Sequence, residues 1–200
     1  MIRYDYPQGS QEWVDAHLGI PTSSQFARII TPATAKPSSQ AEAFMHELIA
    51  ERIMGAPVGD YMSSWMERGL ELEDQAVAWY ELQHDIDTDK VGFCLTDDKR
   101  MGCSPDRLVG LEGGLEIKTP AAHTHIAWSL KPPTKYRCQI QGNLMITGRR
   151  WWDFVSWNPE LKPVVVRYER DDEFIEKLRS AVVKFCDMLE ATAEKAMASQ

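Results

Sequence analysis

The chain has 200 residues, of which 44% are hydrophobic and 26% charged. That mix suits one globular domain, 1–200, whose core needs no disulfide or structural metal, and it excludes wholesale disorder. The net charge of −8 argues by itself against a nucleic-acid binder, no apolar run approaches the roughly 18–20 residues of a membrane helix, and the start Met1-Ile2-Arg3-Tyr4-Asp5 predicts no secretory signal.

Ser10 caps a short helix that Gly19 stops. Thr22-Ser23-Ser24 opens a second short helix through Ile30. Residues 31–37 contain Pro32 and Pro37 and read as a loop. Ser38-Ser39 caps a longer helix with Phe44, Leu48, Ile49 and Ile53 at helical spacing, ended by Gly55. Ser63-Ser64 starts a helix that runs to Gln83, with Glu67, Glu71 and Glu73 on its first turns. From Val91 the texture becomes extended. Short strands at 91–95, 101–109 and 115–118, with a Gly113-Gly114 turn, predict an antiparallel meander. Helices follow at 121–131 and 135–147, broken by Pro132-Pro133. Strands 151–157 and 164–168 lead to a long amphipathic helix from Asp171, with Phe174, Leu178, Val182, Phe185 and Leu189 on one side. The order predicts an α/β or α+β fold with a helical N-terminal part. Cys94, Cys103, Cys138 and Cys186 form no C-x-x-C pair, which suits reduced thiols in a cytosol.

The charge is unevenly spread. Residues 118–170 hold nine Lys and Arg against three Asp and Glu, whereas residues 1–117 hold nine bases against twenty acids. Such asymmetry fits a basic face beside an acidic, metal-binding centre, or solvated faces of no special role. The informative stretch is Ser104-Pro105-Asp106, nine residues, then Glu116-Ile117-Lys118. On a strand, alternate side chains share a face, so Glu116 and Lys118 point one way and Ile117 the other. A hairpin through Gly110–Gly114 brings Asp106 beside Glu116. Two facing carboxylates repel unless a cation lies between them, and hard oxygen donors suit Mg²⁺ or Mn²⁺. A neighbouring lysine can orient water or stabilise developing negative charge. The chemistry implied is metal-assisted attack of water on a phosphodiester. An isolated E-x-K is otherwise an ordinary surface ion pair.

Several stretches in order resemble one family. They are Glu12-Trp13 with His17-Leu18-Gly19-Ile20-Pro21-Thr22-Ser23-Ser24, and Gly69-Leu70-Glu71-Leu72-Glu73. Cys103-Ser104-Pro105-Asp106-Arg107-Leu108 and Gly114-Leu115-Glu116-Ile117-Lys118-Thr119-Pro120 follow. Tyr136-Arg137-Cys138-Gln139-Ile140-Gln141, Thr147-Gly148-Arg149 and Trp151-Trp152-Asp153-Phe154-Val155 complete the series. Together they resemble the lambda-type alkaline exonucleases, or YqaJ-like viral recombinases, of the PD-(D/E)XK nuclease superfamily. The resemblance implies a restriction-endonuclease-like α/β core, a central mixed sheet flanked by helices.

It also implies roles. Asp106, Glu116 and the Ile117 carbonyl would ligate one Mg²⁺ ion, and Glu73 with Asp106 a second, with Mn²⁺ able to substitute. Lys118 would position or activate water, and Gln139 would steady the water or the phosphate. His17, Ser24 and Ser104 would bind the 5′-phosphate of the degraded strand. His17 departs from the family arginine, so either phosphate dependence is weaker or another cation, with Arg28 as a candidate, helps. Lys131, Lys135, Arg137 and Arg149 would contact DNA phosphates. The implied activity is 5′-to-3′ degradation of one strand of linear duplex DNA to mononucleotides, leaving a 3′ tail. The implied setting is a homotrimeric ring, a single-strand annealing partner, and a phage or prophage in a bacterial cytosol. An endonuclease of the same superfamily and a non-catalytic DNA-binding module are the alternatives.

Other features read more plainly. Glu71 and Glu73 lie about 200° apart on a helix, so both cannot face one site. A zinc site at His123 and His125 lacks a third ligand. Trp151, Trp152 and Trp157 read as packing before base stacking. Met66 is a candidate duplex wedge or a core residue.

Overall fold

The computed structural model describes residues 1–59 and 64–199, and over 64–71 the backbone alone. Met62 and the side chains of Met66, Glu67 and Glu71 lie outside the described residues. Strand β1 (Ile2–Tyr4) precedes helix α1 (Gln11–His17), whose Ser10 cap accepts from the Trp13 N–H as its sequence predicts. Gly19 follows at φ +65°, a conformation that suits glycine. The segment opened by Thr22 is a 3₁₀ helix over Ser23–Arg28, shorter than expected. Helix α2 (Ala41–Met54) starts after Gln40 rather than on a serine cap, and Gly55 ends it in the left-handed region. Helix α3 covers Ser64–His84.

Strands β2 (Thr88–Asp89), β3 (Phe93–Leu95), β4 (Gly102–Cys103), β5 (Arg107–Val109) and β6 (Gly113–Lys118) do not make a single meander. They divide between two sheets. β1-β3-β4 form a small antiparallel one. β2, β5 and β6 join β7 (Trp151–Ser156) and β8 (Val164–Glu169) in a five-stranded mixed sheet of order β2-β5-β6-β7-β8. β6 and β7 run parallel, so a crossover must link them. Helices α4 (Ala122–Leu130) and α5 (Arg137–Thr147) supply it. Helix α6 (Asp172–Ala198) closes the chain, capped by Asp171.

The large sheet buries both faces. Leu108, Trp152 and Phe154 pack with residues of α2, α5 and α6. Leu115, Ile117 and Val155 pack on Ala76, Val77 and Tyr80 of α3. Period-two alternation thus turns Glu116 and Lys118 toward the α5 side.

Gly113 and Gly114 are strand, not turn. Their cross-strand partners in β7 are Trp151 and Trp152, whose indoles fill the space where β-carbons would stand. Glycine here is a seat for aromatic rings. Gly114→Ala should cost about 3 kcal/mol through overpacking against the Trp152 ring. Chemical denaturation checks this, and a loss under 1 kcal/mol would show that the ring moves freely.

Candidate active site

The β5–β6 hairpin sets the centre. Arg107 pairs with Leu115, so Asp106 lies opposite Glu116 at the hairpin's open end. The Asp106 carboxylate accepts the Ile117 backbone N–H. Glu116 is 1% exposed. Its Oε1 receives Lys118 Nζ and, at 2.7 Å, Gln139 Nε2. Its Oε2 receives Asn143 Nδ2 at 3.4 Å. The Ser23 hydroxyl donates to Asn143 Oδ1 and so fixes that amide's orientation.

The crossover therefore brings α5 over β6 with Gln139 and Asn143 on one helical turn. Sequence reading singled out Gln139 and missed Asn143. The signal was present, since residues four apart share a helix face. Burial, then Glu116, then Glu73 push the Asp106 carboxyl well above its ordinary range. Burial opposes the Lys118 charge, but Glu116 and Asp106 outweigh it and hold the ammonium on. Lys118 Nζ also lies 5.5 Å from the centre of the Tyr136 ring.

Glu73 approaches from the other side of the sheet. Arg107 is one residue out of phase with Asp106 and points toward α3. Its Nη1 donates to Glu73 Oε1 at 3.1 Å and to the Asp106 carbonyl at 2.6 Å, and its Nη2 to Asp74 Oδ1 at 3.2 Å. Burial pushes the Glu73 carboxyl up, and Arg107 partly opposes it. Among the described residues, no three His, Cys, Asp or Glu side chains converge on one metal-binding point. Asp106 and Glu116 form the carboxylate pair, while Glu73 is held by Arg107. Sequence reading gave Arg107 no role, although its alternation with Asp106 put it on the α3 face.

His17, Ser24 and Ser104 line one cavity of about 420 Å³, which Arg28, Glu47, Glu51 and Gln139 also line. Gln139 thus touches both the cavity and Glu116. His17 is 6% exposed, between the rings of Trp13 and Phe93 at 3.8 and 3.9 Å. Its Nδ1 lies 2.6 Å from the Trp13 carbonyl, and its Nε2 lies 2.8 Å from Ser104 Oγ. A carbonyl only accepts, so Nδ1 carries the proton and Nε2 takes the Ser104 hydroxyl.

Burial lowers the His17 pKa to about 4, against the Trp13 hydrogen bond that raises it. The unfolded chain therefore takes up this proton first. Stability contributed by neutral His17 is complete above about pH 6.5 and is lost as pH falls toward 4. His17→Gln should flatten the melting temperature over that window, whereas the unmodified protein loses up to roughly 3 kcal/mol. Equal acid sensitivity of the two proteins would refute this.

The basic residues divide. Lys131 is exposed. Lys135 is exposed and rests 5.3 and 4.9 Å from the ring centres of Trp128 and Tyr136. Arg137 pairs with Asp171 at 2.7 Å and covers Phe174. Arg149 donates to the carbonyls of Val109, Gly110 and Gly113, and so binds the hairpin turn. His125 is buried on α4 between Ser156 Oγ and the Lys162 carbonyl, while His123 is exposed. Trp152 is core, and Trp157 packs near Trp79.

Residues 12–150 match the family model described as the YqaJ-like viral recombinase domain. The crystal structure of the alkaline exonuclease LHK-Exo from Laribacter hongkongensis is 34% identical, with a TM-score of 0.84 over 95% of this chain and 97% of that one. LHK-Exo in complex with dAMP is similar at 35% identity and TM-score 0.85, with the same coverage. A phage related exonuclease from Haemophilus somnus 129PT shares the fold at 18% identity and TM-score 0.66, over 86% of this chain and 96% of that one. No curated protein sequence matches significantly. With the family match spanning well over half its length, and a relative this similar along nearly all of it, the chain belongs to the YqaJ-like viral recombinase family.

Proposed function

We propose that this chain is a nuclease that degrades one strand of linear duplex DNA from its 5′ end, with Mg²⁺, to mononucleotides. The observation that carries this is the Asp106–Glu116 pair with Lys118 and Gln139, opening beside a cavity. The donor set fits a divalent cation, because two carboxylates on adjacent strands leave repulsion that such an ion relieves. Asp106, Glu116 and the Ile117 carbonyl would hold the ion. Glu73 would contribute to a second one on leaving Arg107. When bound, such ions polarise the phosphodiester and lower the pKa of water.

The protein's own groups position the reactants. Gln139 and Asn143 lock the Glu116 carboxylate. Lys118 keeps its proton and offers a fixed positive charge to the oxygen on which negative charge grows. His17, Ser24 and Ser104 form the wall that receives the strand's 5′ end. Lys131 and Lys135 lie at an exposed edge where a duplex backbone would pass. Arg137 and Arg149, if they contact DNA, do so from partners they already hold in the fold. A 3′ tail would remain for a single-strand annealing partner, within a homotrimeric ring, in the cytosol of a bacterial host carrying a phage or prophage.

End-labelled linear duplex and closed circular DNA, each with Mg²⁺ or EDTA, test the reading. Release of a 5′ label from linear DNA only, abolished by EDTA, is the expected result. Cutting of circles would replace it with an endonuclease, and binding without cutting would end the catalytic reading.

A further inference from the structure

Arg107 is a buried cation on the α3 face of the hairpin. Its side chain is 8% exposed and that of its partner Glu73 14%. A guanidinium does not lose its proton in a protein, so a charge placed this deep must be partnered. Arg107 has three acceptors. Nη1 serves Glu73 Oε1 on α3 and the carbonyl of Asp106 on its own strand, while Nη2 serves Asp74 Oδ1. The guanidinium thereby ties the carboxylate of α3 to the residue that carries a carboxylate of the pair. A lysine, as a single point of charge, could not span acceptors on two elements in this way.

The three bonds differ. The Asp106 carbonyl is held at 2.6 Å, whereas Glu73 and Asp74 lie at 3.1 and 3.2 Å. Arg107 can therefore give up Glu73 and stay anchored to Asp106 and paired with Asp74. Asp74 is largely exposed, so water shares in keeping that pair. Glu73 has less freedom. Its carboxylate is nearly buried and feels Asp106, and it needs a cation wherever it turns. The exposed Lys90 also attracts it.

We propose that Arg107 is a positioning residue that holds the place of a divalent ion at Glu73, and that it moves onto Asp74 when such an ion takes the carboxylate. This rests on the metal centre of the exonuclease reading. An ion at Glu73 then competes with a cation built into the fold, whereas the Asp106–Glu116 pair offers two carboxylates to its ion. Filling is sequential, the pair first and Glu73 second. Arg107 sets the gap between the two affinities.

The test counts ions and does not depend on activity. Bound Mn²⁺ is measured by electron paramagnetic resonance of the free ion, with a thermal melt on each sample. The unmodified protein should bind its second Mn²⁺ about tenfold or more weakly than its first. Arg107→Gln keeps a donor but no charge. It should tighten the second ion about tenfold, the worth of one charge-assisted hydrogen bond. Arg107→Lys restores the charge and should leave the second ion within about threefold of its original affinity. An Arg107→Gln protein that binds Mn²⁺ as the unmodified one does overturns the proposal. So does an Arg107→Lys protein that binds the second ion as tightly as Arg107→Gln, since loss of packing would then account for both. If Arg107→Gln does not melt cooperatively, Mg²⁺ titration of the unmodified, ¹⁵N-labelled protein decides. The Ile117 N–H resonance should move first, and the Arg107 Nε–H resonance, identified by its loss in Arg107→Lys, in a later and weaker phase. An Arg107 resonance that stays still through that phase overturns the proposal. Digestion of linear duplex is scored separately. A protein that binds ions as expected and digests nothing keeps Arg107 in this role and loses the exonuclease, whereas no bound ion in any variant ends both.

Discussion

Replacing Glu116 by Gln should lower magnesium-supported digestion on the order of 10³-fold while leaving the protein folded. The amide matches the carboxylate in shape, and its oxygen can still accept from Gln139 or Asn143. It removes the charge that faces Asp106 and draws in Lys118. Without bound metal, lost repulsion with Asp106 and lost attraction for Lys118 act in opposite directions on stability. The melting temperature should therefore move little. Gln139→Ala and Asn143→Ala leave the charge and loosen its orientation, so each should cost roughly 10–100-fold. Digestion rates with thermal melts on the same samples separate the cases. A Glu116→Gln protein retaining a tenth of its rate would remove Glu116 from the chemistry. One that fails to melt cooperatively would make it a structural residue.

Replacing Asp153 by Ala should cost about 3 kcal/mol of stability. Asp153 is 2% exposed on the α3 face of β7. Its Oδ2 accepts Tyr80 Oη at 2.7 Å, and Arg167 closes a two-bonded pair at 2.8 Å on each side. Arg167 is half-exposed and can return to water. The Tyr80 hydroxyl is fully buried and would lose its acceptor. At 2–4 °C per kcal/mol for a chain of this size, the melting temperature should fall roughly 6–12 °C. Asp153→Asn keeps an acceptor for Tyr80 and should recover about half of that. Calorimetry checks both, and a fall under 3 °C would show that the network contributes little.

The placing of the two carboxylates and the lysine was legible because it is local. Asp106, Glu116 and Lys118 sit on one hairpin, where alternation and a turn suffice to align them. Glu73 was harder. A helix phase says which residues share a face, but not that Arg107 comes through from the sheet to hold that carboxylate. The second sheet was hidden for a related reason. β1 is three residues long, too short for an alternation signal, and its partner β3 lies about ninety residues away. Gly113-Gly114 misled because glycine pairs ordinarily mark turns. Only the two indoles of β7 explain why they lie in a strand. The burial of His17 was not legible, because nothing in its neighbours foretells that Phe93 completes a ring sandwich around it.

The same contrast in chain distance sets an order of failure on heating. The hairpin carries its carboxylates together and opens only with the large sheet. The cavity wall is joined across the chain, with His17 and Ser104 separated by 87 residues and Ser23 and Asn143 by 120. Its N-terminal half is a seven-residue helix and a six-residue 3₁₀ turn, short elements of the kind that open locally before a molecule unfolds. Warming should therefore first produce a protein that keeps Asp106, Glu116 and Lys118 aligned, slowed by the loosened Asn143 amide, and with no sense of a DNA end. Between its two transitions an end-bound enzyme would behave as an indiscriminate one, and its fidelity to ends would have a lower temperature limit than its activity.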